Sequence, residues 1–336
     1  MTARRMLITG ATGGLGQALV RAALERGDRV RATGRSAERG ARFAGTGAHF
    51  IPLDLVEADD RSLRQLVGGC DTIIHAAALS ASWGPAENFE RANVVVTQRL
   101  IDLARQSDCR RFVYISSPSI FATFKDRLLI GPQDAPADPP LNAYARTKLA
   151  AERLVIAAND DHLACCALRP RALVGEGDEV ILPRLAQLAR RRAMPLPGGG
   201  RALIELTDLR DAADAVMLAE DAAPQIAGEA INISGGVPAS VRDIATSLAR
   251  ALGCAPKLVH LPRGLARVMA TGMEGTARLL NRPGEPVLTR YTLATLGYSQ
   301  TFDPEPARRL IGYAPRHDAL ATLIEDAQRR AAMGEL

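Results

Sequence analysis

The first half of the chain alternates short apolar runs with longer stretches in which apolar residues recur every three or four positions. "RMLITG" reads as a strand, and "LGQALVRAALERG" as a helix with one apolar face and a glycine stop. "DRVRATGR", "AHFIPLDL", "DTIIHAAA", "RRFVYISS" and "HLACCALRP" repeat the strand signal. Helical stretches such as "RSLRQLVGG" and "ERANVVVTQRLIDLARQS" separate them. Strands that alternate with helices predict a parallel sheet covered on both faces. Right-handed crossovers then make an α/β, doubly wound sheet that binds ligands at the carboxyl ends of its strands.

After "LRP" the rhythm breaks. Pro and Gly thicken around "PLPGGGR", one more strand–helix unit follows in "ALIELTDLRDAADAVMLAED", and "EAINISGG" is another strand. From about Val237 the pattern is mostly helical with Pro and Gly punctuation. The expected division is a sheet domain at 1–171 plus 205–233 and a smaller, mostly helical substrate-binding lobe at 172–204 plus 234–336. No internal repeat or low-complexity tract interrupts either part.

Composition narrows the partners. The five cysteines (Cys70, Cys109, Cys165, Cys166, Cys254) are scattered and odd in number, without metal-ligand spacing. A disulfide framework and a metal site are therefore not expected, and a reducing cytoplasm is. "MTARRMLITG" runs straight into a strand, so no signal peptide is expected, and no apolar run reaches membrane-spanning length. The net charge of +5 comes from arginines spread among acidic residues, with few aromatics for base stacking, which argues against nucleic acid. A small-molecule substrate is the expected partner.

In "LITGATGGLGQAL", Gly10, Gly13 and Gly16 lie between the first strand and the first helix. Gly10 allows a tight turn, Gly13 lets backbone approach a pyrophosphate, and Gly16 lets helix and strand pack closely. The helix N-terminus adds free N–H groups and a positive dipole end. Strand before and helix after are the context that makes a glycine loop a dinucleotide site. The fold expected is thus Rossmann-like.

The G-x-x-G-x-x-G spacing resembles the extended branch of the short-chain dehydrogenase/reductase superfamily, and the resemblance runs through most of the chain. It implies that Thr12, Gly14 and Leu15 of the same loop face the cofactor and that Asp54 and Leu55 meet adenine. It places Ala76, Ala77 and Ala78 where backbone passes close to the cofactor, and Pro170 and Arg171 beside the nicotinamide. At the end of the second strand the family position for an NAD-binding acid is Gly34, followed by Arg35. Loss of the carboxylate and gain of a guanidinium suit a 2'-phosphate, so NADP(H) is expected over NAD(H).

"NAYARTKLAAE" carries Tyr144 and Lys148 one helical turn apart. Without a cofactor this spacing is ordinary. With one, ketone reduction needs a proton donor at the developing alkoxide. A free tyrosine, with a pKa of about 10, is a weak acid near neutrality. A lysine ammonium one turn away stabilises its phenolate, and a serine hydroxyl adds a second donor. The resemblance assigns that serine to Ser117, with Ser116 and Ser119 as alternatives, and gives Lys148 a further bond to the nicotinamide ribose. Asn93 and His75 are expected to be structural.

The late segment "EPVLTRYTLATLGYSQTFDPEPARRLIGYAPR" resembles the 3β-hydroxysteroid dehydrogenase-like and β-keto acid reductase group. The expected activity is hydride transfer between NADP(H) and an apolar ketone or secondary alcohol by Ser117, Tyr144 and Lys148. A sugar-nucleotide epimerase or dehydratase is the alternative. Arg201 suits it, whereas Ala202 and Leu203 after it, and Phe121-Ala122 after the serine strand, do not. A non-catalytic NADP sensor is the third reading, against which Tyr144 and Lys148 stand. "TFKDRLLI" is expected to be an active-site flap or a surface turn. The resemblance also implies a homodimer through "ERANVVVTQRLIDLARQ" and the helix that starts at Tyr144.

Overall fold

In a computed structural model, residues 3–280 and 284–336 are described. Met1, Thr2 and positions 281–283 of the two expected lobes lie outside them. Seven parallel strands form the central sheet: β1 (Arg5–Thr9), β2 (Arg29–Gly34), β3 (His49–Pro52), β4 (Thr72–His75), β5 (Arg111–Ile115), β6 (Ala164–Pro170) and β7 (Ala230–Ile233). Their order is β7-β6-β5-β4-β1-β2-β3. The chain therefore winds outward from β1 in both directions, and the switch between β1 and β4 opens a crevice at their carboxyl ends.

Successive strand residues face opposite sides, so both faces of the sheet carry cores. Met6 and Ile8 point to one side, where helix α1 (Gly14–Glu25) supplies Leu15, Leu19 and Val20, and the helix Leu209–Asp221 supplies Val216. Leu7 and Ile73 point to the other, against Leu100 and Ile101 of α2 (Val96–Arg105) and Ala151 and Val155 of α3 (Ala143–Ala157). Leu100 is fully buried, and its truncation to Ala costs about 2–5 kcal/mol.

The expected "ERANVVVTQ" helix is a helix with an insertion: residues Glu90–Val95 wind as a π-helix ahead of α2. That turn carries Asn93, which is buried and bonds the main chain of Leu79.

Outside the sheet the chain forms short strands as well as helices. Residues 127–130, 203–205, 238–240 and 300–302 pair into a four-stranded sheet. "TFKDRLLI" is thus no flap: Arg127–Ile130 is a strand locked to Gln300–Phe302 by backbone pairing. Glu205, expected with the main sheet, belongs to this small sheet, and Thr207–Asp208 pair with Leu173–Val174. A separate core of Val174, Leu182, Leu196, Ile204, Ile244 and Leu323 holds this part together. Among the described residues no helix is long and apolar enough to cross a membrane.

Candidate active site

The crevice at the β1–β4 switch is a cleft of about 640 Å³, within the usual range of ligand clefts. Its floor is the β1–α1 loop. Gly10 has φ +66°, a conformation that disfavours other residues, and a Cβ there would stand 2.7 Å from Ala77 N. A Cβ on Gly16 would meet the Gly10 carbonyl oxygen at 2.1 Å. Gly13 caps α1 without any side-chain hydrogen bond, and no acidic residue occupies the first turn. The loop is a backbone-lined hollow under an uncapped helix N-terminus, which suits a pyrophosphate.

The expected cofactor residues fall together with one exception. Gly10, Thr12, Gly13, Gly14, Leu15, Gly16, Arg35, Asp54, Leu55, Ala76, Ala77, Ala78 and Pro170 all line the cleft. Arg171 does not. It follows Pro170 at the strand end, and its side chain is buried and does not line the cleft. Sequence reasoning did not single out Glu57, Arg91 and Glu179, which also line it. Their neighbours along the chain gave no signal, because the sheet order brings them in. Arg91 pairs with Glu57 at 2.7 Å, and Glu179 reaches across to Arg39 at 2.6 Å.

At the β2 end the structure separates two arginines. Arg39 is engaged by the Thr12 carbonyl and by Glu179. Arg35 is exposed on the cleft wall with no ion pair among the described residues. A Cβ at Gly34 would come within 2.8 Å of Thr12 Oγ1, so an acid there requires the threonine to move.

A buried relay fixes the adjoining wall. Thr97 donates to the Asn93 carbonyl at 2.6 Å, so the His75 Nε2–H donates to Thr97 at 3.0 Å. That leaves His75 Nδ1 to accept from Thr9 at 2.7 Å, while Thr9 accepts from the Ala77 N–H at 3.1 Å. This tautomer follows from the network. Burial, and then the charge of Lys148, pushes the His75 pKa down to about 3. His75 is a neutral spacer that holds Ala77 in place.

On the opposite wall, Asn142 caps α3 by accepting from the Ala145 N–H at 2.9 Å. Tyr144 therefore sits in the first turn, half-buried and on the cleft wall, at the positive end of the helix. Lys148 is one turn further in, buried at 2 % exposure, and also lines the cleft. Its ammonium donates to the Ile115 carbonyl and lies 4.1 Å from the centroid of the Tyr114 ring. Burial lowers its pKa to about 7, and Glu152 one turn on opposes that shift.

Ser116 and Ser117 line the cleft at the β5 end, and Ser119 does not. Ser117 Oγ accepts from the Ser119 N–H at 3.2 Å, which leaves its own proton free to donate. Ser116 Oγ and Ser119 Oγ are buried without partners. Arg201 is exposed at the end of the 198–200 turn and is not on the cleft wall.

A seven-stranded parallel sheet with a glycine cradle at its switch point defines an NAD(P)-binding α/β protein. The chain belongs to the NAD dependent epimerase/dehydratase family, whose model matches residues 6–234, and so to the extended short-chain dehydrogenases/reductases. It is similar to the 2-alkyl-3-oxoalkanoate reductase of Stenotrophomonas maltophilia (strain K279a), with 37% identity over 97% of this chain and 98% of that one. It is also similar to the 4-hydroxy-2-methyl-3-oxo-4-farnesyl-3,4-dihydroquinoline-1-oxide ketoreductase of Stigmatella aurantiaca, with 30% identity over 93% and 92%. The solved structure of MoeE5 in complex with UDP-glucose and NAD superimposes with a TM-score of 0.73 and 26% identity, covering 98% of this chain and 99% of that one. The chain is an NAD(P)-dependent enzyme of the class that acts on CH–OH and C=O groups.

Proposed function

We propose that this enzyme interconverts an apolar ketone and its secondary alcohol with NADP(H), using Tyr144 as the proton donor and acceptor. The observation that carries the reading is the placement of Tyr144, Lys148 and Ser117 on one cleft beside the glycine cradle. When bound there, the nicotinamide supplies or accepts the hydride. Tyr144 protonates the developing alkoxide from the first turn of α3, where the helix dipole favours its phenolate. Ser117 donates its free proton to the same oxygen and holds the carbonyl in line. Lys148, fixed by the Ile115 carbonyl, stabilises the phenolate and bonds the cofactor ribose. Arg35 grips the 2'-phosphate, since Arg39 is already engaged.

The ketone reductases among the relatives support this substrate class. The likeness to MoeE5, which is held with UDP-glucose and NAD, favours sugar-nucleotide epimerisation as the second reading. Against it, Arg201 points to solvent rather than into the cleft. NADPH consumption against hydrophobic ketones, 3-oxoacids and UDP- or GDP-sugars separates the two. Oxidation of NADPH with the ketones or oxoacids and silence with the sugars supports the first. Epimerised sugar with no net loss of cofactor sinks it. A homodimer through the 90–105 and 143–157 helices belongs to the same reading, and sedimentation velocity tests it.

A further inference from the structure

The helix Arg263–Leu279 rests on the molecule by one narrow side. Its buried residues are Ala266, Ala270, Glu274 and Ala277. Ala266 and Ala270 pack with Leu293 of the helix Arg290–Gly297. The opposite face is apolar and uncovered. At 3.6 residues per turn, Leu265, Val268, Gly272, Thr276 and Leu279 fall in one row along it. Val268 is 71 % exposed and Leu279 84 %, with Leu265, Met269 and Leu280 exposed beside them. Among the described residues, a Cβ placed on Gly264, Gly272 or Gly275 meets nothing within 4 Å. Single exposed apolar residues are ordinary, but a continuous row of them marks an interaction surface.

Guanidinium groups and half-buried aromatic rings border this row. Arg267 lies 4.5 Å from the centroid of the Phe124 ring, Arg278 5.3 Å from that of Trp83, and Arg263 4.6 Å from that of Tyr298. Arg290 approaches Phe124 as well, at 5.8 Å. The acids nearby are already engaged. Asp126 pairs with Arg263 at 3.0 Å, and Glu285 with Arg184 at 2.8 Å. Glu274, the only acid between Lys257 and Leu280, is buried, where it pairs with Arg278 and accepts from the Arg290 N–H. Among the described residues Arg267 and Arg290 enter no ion pair, so the border carries excess positive charge.

We propose that the face carrying Leu265, Val268 and Leu279 docks on an anionic lipid surface. A helix with an apolar face and arginines along its flank lies in the plane of such a surface, its apolar side chains sunk among the acyl chains. Aromatic rings sit at headgroup depth. The arginines, with their stems along apolar surface, reach the lipid phosphates. A second copy of this chain fits the face less well, because two such faces would set Arg267 and Arg278 against their like. The docked helix stands at the rim of the cleft. Its C-terminal end holds Trp83, three residues beyond Ser80 of the cleft wall, and Ser82 bonds Glu285. The lipid surface therefore lies beside the opening of the cleft. Docking does not depend on the reaction performed there.

Flotation of the full chain with two kinds of vesicle tests this without any turnover. One is phosphatidylcholine alone, and the other is equal parts phosphatidylcholine and phosphatidylglycerol. Binding to the mixed vesicles should be tighter by about fivefold or more, the scale of one basic residue at an anionic surface, and should weaken as salt is raised. Val268→Asp combined with Leu279→Asp should abolish binding, and Arg267→Glu should weaken it by about fivefold or more. Both variants should keep the wild-type melting temperature and dinucleotide affinity, since the altered side chains are exposed. Should the aspartate variant fail to fold, Arg267→Glu and the lipid and salt dependence still decide. Binding to neither vesicle, equal binding to both, or binding untouched by the aspartates overturns the proposal. Self-association in sedimentation velocity that the aspartates abolish gives the face to a second copy and overturns it too.

Discussion

On one side of the cleft, the Ala77 N–H, Thr9, His75, Thr97 and the Asn93 carbonyl form an unbroken chain of hydrogen bonds. On the other, Ser116 Oγ on the cleft wall, and Ser119 Oγ and Arg171 Nε off it, are buried with no hydrogen-bond partner among the described residues. Both regions bury polar atoms beside the same sheet edge. In the first, each donor meets an acceptor, and the result is a rigid wall against which a dinucleotide can lie. In the second, desolvation has been accepted without compensation. Buried polar groups are nearly always hydrogen-bonded, so those left open call for a reason, and a catalytic role is one of them. Beside this cleft, the closed network marks the wall that holds, and the open groups lie toward the wall that carries Tyr144 and Lys148.

The sharpest way to break this contrast is on the open side. Tyr144→Phe should cut turnover by about 10²–10⁴, the range for loss of a positioned acid, while melting temperature and NADPH affinity stay near wild type. Lys148→Met should reduce turnover and cofactor affinity together, because the lysine serves both. Stopped-flow kinetics and fluorescence titration read the two quantities. Retention of most of the rate in Tyr144→Phe moves the proton donor elsewhere.

On the closed side the damage should reach the fold. Gly16→Ala forces a Cβ to 2.1 Å from the Gly10 carbonyl, and neither backbone can give way. A stability loss of about 3 kcal/mol or more is expected, together with loss of dinucleotide binding, by chemical denaturation and calorimetry. Unchanged stability would mean that the cradle is looser than the contrast requires.

Smaller still is the effect at Arg35, which should set the choice of cofactor. Arg35→Ala should weaken NADPH by about 1–3 kcal/mol and spare NADH. Converting the site to an acid at Gly34 should succeed only with a smaller residue at Thr12, given the 2.8 Å approach. Equal weakening of both cofactors would place the 2'-phosphate contact elsewhere, with Arg39 next in line.

The last test concerns pH, where the effect is spread over several units. His75 is neutral in the folded protein, with a pKa of about 3, whereas an exposed histidine titrates near 6.5. Between those values the unfolded chain holds the extra proton. Stability is therefore present above about pH 6.5 and is lost as pH falls toward 3, by up to about 1.4 kcal/mol per pH unit. His75→Gln should flatten that part of the acid limb in denaturation curves at several pH values. An unchanged slope would show that His75 is not buried neutral.

Locally spaced residues were the legible ones. Gly10, Gly13 and Gly16 sit within seven residues between a strand and a helix, and Tyr144 and Lys148 lie one turn apart, so local spacing carries their meaning. The β1–β6 strands and β7 were visible as apolar runs, because a sheet buried on both faces needs them. What was hidden depends on distant pairing. "TFKDRLLI" is a strand because Gln300–Phe302, far along the chain, lies beside it. The π-turn at Glu90–Val95 has no periodic signature in six residues. Arg171 stands next to Pro170 in the family's Arg-Pro segment, yet Pro170 lines the cleft and the buried Arg171 does not, which adjacency in sequence does not show.

The central claim is that Tyr144 and the nicotinamide act on a carbonyl carbon of a substrate that leaves as alcohol. Transfer of deuterium from C4-deuterated NADPH to a 3-oxoacid, followed by mass spectrometry and NMR of the product, tests it most directly. The account predicts one deuterium on the carbinol carbon per NADPH oxidised, and none with Tyr144→Phe. Deuterium retained on the cofactor while a UDP- or GDP-sugar is epimerised in the same cleft would contradict it.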